Sequence, residues 1–255
     1  METKPPSPDY RLALGHGSAW HLLRCLGWQR QRFTAQIARE VGATSITWLD
    51  FPAYAGNQAY PSGSRIRDGE WKGISFLGDA DADVREAYAQ FWPGRGEQQN
   101  WDLVGRAVIN EKVEWLLLEA KAHTAEIKAG GTDAKEVGGR PMIRAAFTET
   151  LAALGYDADH ATALAEKWLT GFYQQANRLA TLHFLNKQRI PARLIFLYFC
   201  GDQHPDGKDC PVNAEAWTAI VKKIHNDLGL SGDSLLEQRV HEIFVQLDQG
   251  SDLSQ

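Results

Sequence analysis

Asp102 is followed, after sixteen residues, by Glu119-Ala120-Lys121. Two carboxylates and a backbone carbonyl such as that of Ala120 suit a hard, oxygen-seeking cation, Mg2+ or Mn2+. Such an ion can neutralise a phosphate, lower the pKa of a bound water and stabilise a leaving oxygen. A lysine beside it supplies a compact positive charge that orients the water or offsets charge in the transition state. The chemistry implied is hydrolysis of a phosphate ester. Glu-x-Lys alone is common at plain, solvated strand ends. What gives this one weight is the apolar run Trp115–Leu118 just before it, because unpaired charges at a buried strand end cost several kcal/mol each.

Geometry then sets a condition. Asp102–Ile109 (DLVGRAVI) and Val113–Lys121 (VEWLLLEAK) are apolar runs separated by Asn110-Glu111-Lys112, the pattern of a β-hairpin. Residues two apart on a strand share a face, so Glu119 and Lys121 point the same way, roughly 7 Å apart. Asp102 joins them only if the hairpin loop holds an even number of residues, since a slip of one reverses every side chain. A loop of two or four residues around Asn110–Lys112 meets that condition.

The elements that must hold this hairpin can be read from periodicity and stop signals. Trp20 to Val41 predicts a helix ending at Gly42, and Ser45–Leu49 a strand. The stretch from Asp50 to Glu70 is rich in Gly, Pro, Ser and Tyr and predicts a long loop. Lys72–Leu77 predicts a further strand, and Asp81–Phe91 a helix capped by Asp81 with Pro93 beyond its end. Ala129–Arg140 is a glycine-rich loop. Residues 141–154 and 159–186 predict two helices split at Gly155. Ala192–Phe199 predicts a buried strand, followed by helices at 213–228 and 233–247. The fold class expected is α/β with a mixed sheet. It is read as a polar tail over 1–9 and one domain over 10–255, with its core at about 72–200.

The stretch NWDLVGRAV…EWLLLEAKAHTAE resembles the PD-(D/E)XK nuclease superfamily. Asp102 stands where that family's metal-binding Asp stands, and Glu119 and Lys121 match its Glu-x-Lys. The proline of the family motif is absent, and Trp101 precedes Asp102 instead. The later FYQQANRLATLHFL and PARLIFLYFCGD fit the family's order, so the resemblance covers about residues 100–200. EAKAH and YQxANRLA are also similar to a bacterial group within it. The resemblance implies a restriction-endonuclease-like core of helix, three strands, helix and strand, with extra helices at both ends. It also implies Mg2+-dependent cleavage of phosphodiester bonds, with DNA the expected polymer. A catalytically silent binding or regulatory module, or a hydrolase of another phosphate ester, would share the fold.

Accessory residues carry two readings each. Glu126 can assist a metal or Lys121, or start a turn. His123 can touch phosphate or be a structural histidine. Gln174 and Asn177, with Gln175 and Arg178, can face the site or form a solvated helix face. The family's further upstream acid would fall at Glu40 or Glu86, each otherwise a surface residue. Cys200, His204, Asp209 and Cys210 match no zinc spacing. Tyr54, Tyr60, Arg65, Arg67 and Lys72 can stack on bases and grip phosphates, or simply pack a loop.

A net charge of −5 argues against a basic coat for nucleic acid, though not against a local groove. Three scattered cysteines are too few for a disulfide framework. With no apolar centre of a signal peptide and no spanning run, a cytoplasmic location is expected. The oligomeric state stays open, a homodimer included.

Overall fold

Trp115–Leu118 is apolar on both sides because both faces of its sheet are covered. The computed structural model describes residues 15–50, 70–78, 82–94, 98–127 and 130–247. Its centre is a five-stranded sheet built from β1 (Ser45–Trp48), β4 (Leu103–Ile109), β5 (Lys112–Lys121), β6 (Ala192–Cys200) and β7 (Val240–Gln246), neighbouring in that order. β1, β4 and β5 run antiparallel, whereas β6 and β7 continue parallel to β5. A small separate ladder pairs β2 (Trp71–Lys72) with β3 (Asn100–Trp101). The fold is therefore α/β with a mixed central sheet flanked by helices.

The alternation along β5 sorts its residues between two cores. Leu116, Leu118 and Ala120 pack with α1 (Ser18–Gly27) and α2 (Arg30–Val41), through Leu22, Leu26, Phe33 and Ile37. Leu117 packs on the other side with α3 (Ala82–Phe91), α4 (Arg140–Ala153), α5 (Ala158–Gly171), α6 (Tyr173–Lys187) and α7 (Ala214–Leu228). Glu119 and Lys121 share the face of Leu117, so both point toward α6.

Four predicted elements differ from the observed ones. The helix over 20–41 is two helices, broken after Gly27 at Trp28–Gln29, so that each half can lay its own apolar stripe on the sheet. The helix over 159–186 is likewise two, broken after Gly171 at Phe172, whose backbone leaves helical geometry. The strand over 72–77 is only its first residue. Gly73, at φ 53°, turns the chain into a short 3-10 segment over Ser75–Leu77, which places Phe76 against Trp115 at 4.9 Å between ring centroids. The helix over 233–247 is mostly a strand. Its apolar spacing satisfies both periods, and pairing Val240–Gln246 with the open edge of β6 satisfies backbone groups that a helix would leave exposed there. Gln36 on α2 donates to the Phe244 carbonyl and covers part of the resulting edge. The polar tail over 1–9, most of the 50–70 loop and the expected cap Asp81 lie outside the described residues. Among the described residues no helix is long and apolar enough to cross a membrane.

Candidate functional site

The hairpin loop is Asn110-Glu111, two residues, with Ile109 paired to Lys112. Both loop residues take positive φ, 48° and 63°, the backbone of a type I′ turn whose twist matches the strands it joins. The even loop carries its register forward: Leu103 faces Leu118, so Asp102 comes next to Glu119. Asp102 sits in the bend between β3 and β4, where its Oδ2 accepts the Ala120 amide at 2.6 Å. That bond fixes the carboxylate against the end of β5.

Glu119 is only 3% exposed, and the chain surrounds it with donors. Lys121 Nζ donates to Oε1 at 2.6 Å and Gln174 Nε2 at 3.0 Å. Arg178 donates to Oε2 through Nε at 2.9 Å and through a terminal nitrogen at 2.7 Å. The same guanidinium donates to Asn177 Oδ1 and to the Asn100 carbonyl, each at 2.6 Å, and lies 5.1 Å from the Trp101 ring centroid. α6 makes this reach. Gln174, Asn177 and Arg178 fall one helical turn apart, on the side turned to β5. The helix is buried nearly all round rather than solvated on its polar side. That corrects the solvated-face reading, and it identifies Arg178 as the partner for Glu119, 59 residues away in sequence, that periodicity could not supply.

The two carboxylates are in opposed electrostatic states. Burial and the neighbouring Glu119 charge push the Asp102 carboxyl up to about 7, against the pull of Lys121. Burial acts the same way on Glu119, but Arg178 and Lys121 together overcome it and hold that carboxyl below its usual value. Two acids therefore meet two cations, and Asp102 is the one left under-compensated.

Asp102, Glu119 and Arg178 line one cleft of about 850 Å3, with Gln174, Asn177 and Glu126. Lys72 and Glu70, at the start of the small ladder, line it too, as does Gly131. Gly131 has to be glycine. A Cβ there would sit 2.6 Å from the Leu169 carbonyl oxygen, at the place where Thr132 ties the loop to α5. Neither Lys121 nor Ala120 forms part of the wall; Lys121 acts on the cleft through Glu119, and Ala120 through its amide.

The other sequence candidates separate clearly. Glu126 accepts the amides of Ala122 and His123 and the Ser18 hydroxyl, so it caps the turn after β5 at the cleft's edge. His123 is buried away from the cleft, with its ring edge-on to His204 at 5.2 Å. Glu40 and Glu86 are exposed, Glu40 on the helix that covers the opposite face of the sheet, and neither lines the cleft. Cys200 is buried and free, and its sulfur's contact is the Tyr198 carbonyl rather than a ligand cluster. Tyr54, Tyr60, Arg65 and Arg67 lie outside the described residues.

Could these residues hold a hard cation? The donor chemistry fits, because two carboxylates converge on one cleft wall and the Asp102 charge lacks full compensation. One feature resists: the lone pairs of Glu119 are already taken by Lys121, Gln174 and Arg178. Among the described residues no group of three or more His, Cys, Asp or Glu side chains is arranged to hold a metal ion. Asp102 and Glu119 are the residues that would hold such a cation, with Glu119 giving up one of its present donors. Compared with protein-family models, curated proteins and solved structures, the chain matches none.

Proposed function

We propose that the chain hydrolyses phosphodiester bonds with Mg2+ or Mn2+, and that its substrate is nucleic acid, DNA by the resemblance of its sequence. The observation that carries this reading is the adjacency of Asp102 and Glu119 on one cleft wall, with Lys121 and Arg178 bonded to the second acid. The element order supports it as well. Helix α2, the antiparallel strands β1, β4 and β5, helix α6 and the parallel strand β6 follow the succession that a restriction-endonuclease-like core requires. In this reading Asp102 and Glu119 hold the ion, which supplies an activated water and offsets charge on the phosphate. Lys121 would hold Glu119 in position through its bond to Oε1, and Arg178 would face the phosphate. Gln174 and Asn177 position Glu119 and Arg178 through the bonds already described.

The test is incubation of the protein with plasmid, linear and single-stranded DNA in the presence of Mg2+ or Mn2+. Cleavage that needs the ion and is lost in Lys121→Ala is expected. No cleavage of any of the three, or equal cleavage by that variant, would overturn the reading.

One observation favours a second reading, in which the nuclease-like site is silent and the chain binds or regulates. The ion pairs on Glu119 are saturated without any metal. Binding of DNA with equal affinity with and without the ion, and no cleavage, is what that reading requires.

A further inference from the structure

We infer that Arg178 is an internal counter-ion which a bound metal displaces from Glu119 and which then seats the substrate's phosphate. The inference rests on the metal-dependent reading above and deepens it. Glu119 offers a cation no free oxygen, and the donors on Oε2 both come from Arg178. Lys121 and Gln174 bond the other oxygen, Oε1. A cation that bridges Asp102 and Glu119 at Oε2 therefore competes with one side chain only.

That side chain is built to stay in place when it loses Glu119. Its remaining donors hold Asn177 Oδ1 and the Asn100 carbonyl, and its face rests on Trp101. Asn177 is 5% exposed and Trp101 is fully buried, so these supports are rigid. If the Glu119 carboxylate turns toward Asp102, the Nε–H and one terminal N–H of Arg178 lose their acceptor side by side, on a residue that lines the cleft. That is the fork geometry which binds two phosphate oxygens.

Charge agrees with the exchange. With both acids ionised, Asp102 and Glu119 balance Lys121 and Arg178, and the quartet is neutral. A divalent ion would leave it doubly positive, which suits a phosphodiester that gains a second negative charge as a nucleophile adds. With both acids ionised and no metal bound, the same quartet has no surplus charge to attract an anion. Metal and phosphate are then expected to bind with positive cooperativity.

The test uses the full chain and two readouts that do not depend on turnover. Mn2+ is titrated calorimetrically into wild type, Arg178→Gln and Arg178→Lys. A fluorescein-labelled phosphorothioate oligonucleotide, resistant to cleavage, is then bound to each with and without Mn2+. Removing the competitor in Arg178→Gln should tighten Mn2+ about tenfold, as expected from the loss of charge-assisted bonds that the metal must break. The same change should weaken the oligonucleotide about tenfold in Mn2+ and leave its binding without Mn2+ unchanged. Arg178→Lys keeps the charge without the fork, and should move both affinities in the same directions by less. If Arg178→Gln fails to fold, the signs in Arg178→Lys decide. Mn2+ binding to wild type that is no tighter in either variant overturns this inference alone. No Mn2+ binding in any of the three proteins overturns the metal reading on which it rests.

Discussion

β5 carries two buried glutamates, and the chain treats them differently. Glu114, near the start of the strand, is 7% exposed and bonds Arg193 at 2.8 Å and Arg239 at 3.1 Å. Glu119, five residues on, bonds Lys121 and Arg178. Each is therefore an acid between two cations, and ion pairing does not distinguish them. Their cross-strand neighbours do. Ala107 lies opposite Glu114, whereas Asp102 comes next to Glu119 and contributes a second, under-compensated carboxylate. Glu114 belongs to a cluster with Arg193 of β6 and Arg239 just before β7, in which Arg193 also contacts His241 of β7. Glu119 opens on a cleft. A buried salt bridge by itself is thus weak evidence of chemistry; a second acid and an open wall beside it are what mark the site.

The contrast breaks most sharply if the two acids are neutralised one at a time. Glu119→Gln strands two cations that are each less than a tenth exposed. It should abolish cleavage and cost about 3–5 kcal/mol in urea denaturation. Glu114→Gln should cost less, about 1–3 kcal/mol, because Arg193 and Arg239 keep contact with water. Its cleavage rate per folded molecule should not change. Lys121→Ala should lower the cleavage rate about a hundredfold or more, with a smaller loss of stability, since Arg178 continues to pair Glu119.

Asp102 gives the comparison a pH signature. A carboxyl whose folded pKa stands above its unfolded value binds a proton on folding, so its contribution is fully present below the unfolded value of 3.8 and lost as pH rises through about 7. Asp102→Asn keeps the acceptor for the Ala120 amide and removes the charge. The metal-free variant should therefore match wild type in thermal stability near pH 4 and exceed it at pH 8. A difference that does not grow across this window would contradict the raised pKa. The smallest effect concerns the turn that aligns the two acids. Glu111→Gly relieves a left-handed backbone that costs a non-glycine residue about 1–2 kcal/mol, against glycine's entropic cost of about 0.5–1 kcal/mol, so it should stabilise the chain slightly, read from the denaturant midpoint, with cleavage unchanged.

The hairpin and the acids it aligns were legible in the sequence because their signals are local. Alternation, a polar break and an even loop specify which residues share a face. The helix breaks at Trp28 and Phe172 were signalled by the glycines just before them, Gly27 and Gly171. Each lay inside an otherwise continuous apolar pattern, which outweighed it. Leu236, Val240, Ile243 and Phe244 satisfy helical spacing as well as a strand's, and only the open edge of β6 decides for the strand β7. Arg178 belonged to a visible polar cluster, yet its bond to Glu119 spans two elements and leaves no periodic trace. Glu70 and Lys72 reach the cleft from the end of a long loop for the same reason.

The most direct measurement is calorimetric titration of Mn2+ into wild type, Asp102→Asn and Glu114→Gln. The account predicts a bound ion in wild type, loss of binding in Asp102→Asn and undiminished binding in Glu114→Gln. Equal binding by wild type and Asp102→Asn, or loss of binding in Glu114→Gln, would contradict the claim that the cleft end of β5 is where the chemistry lies.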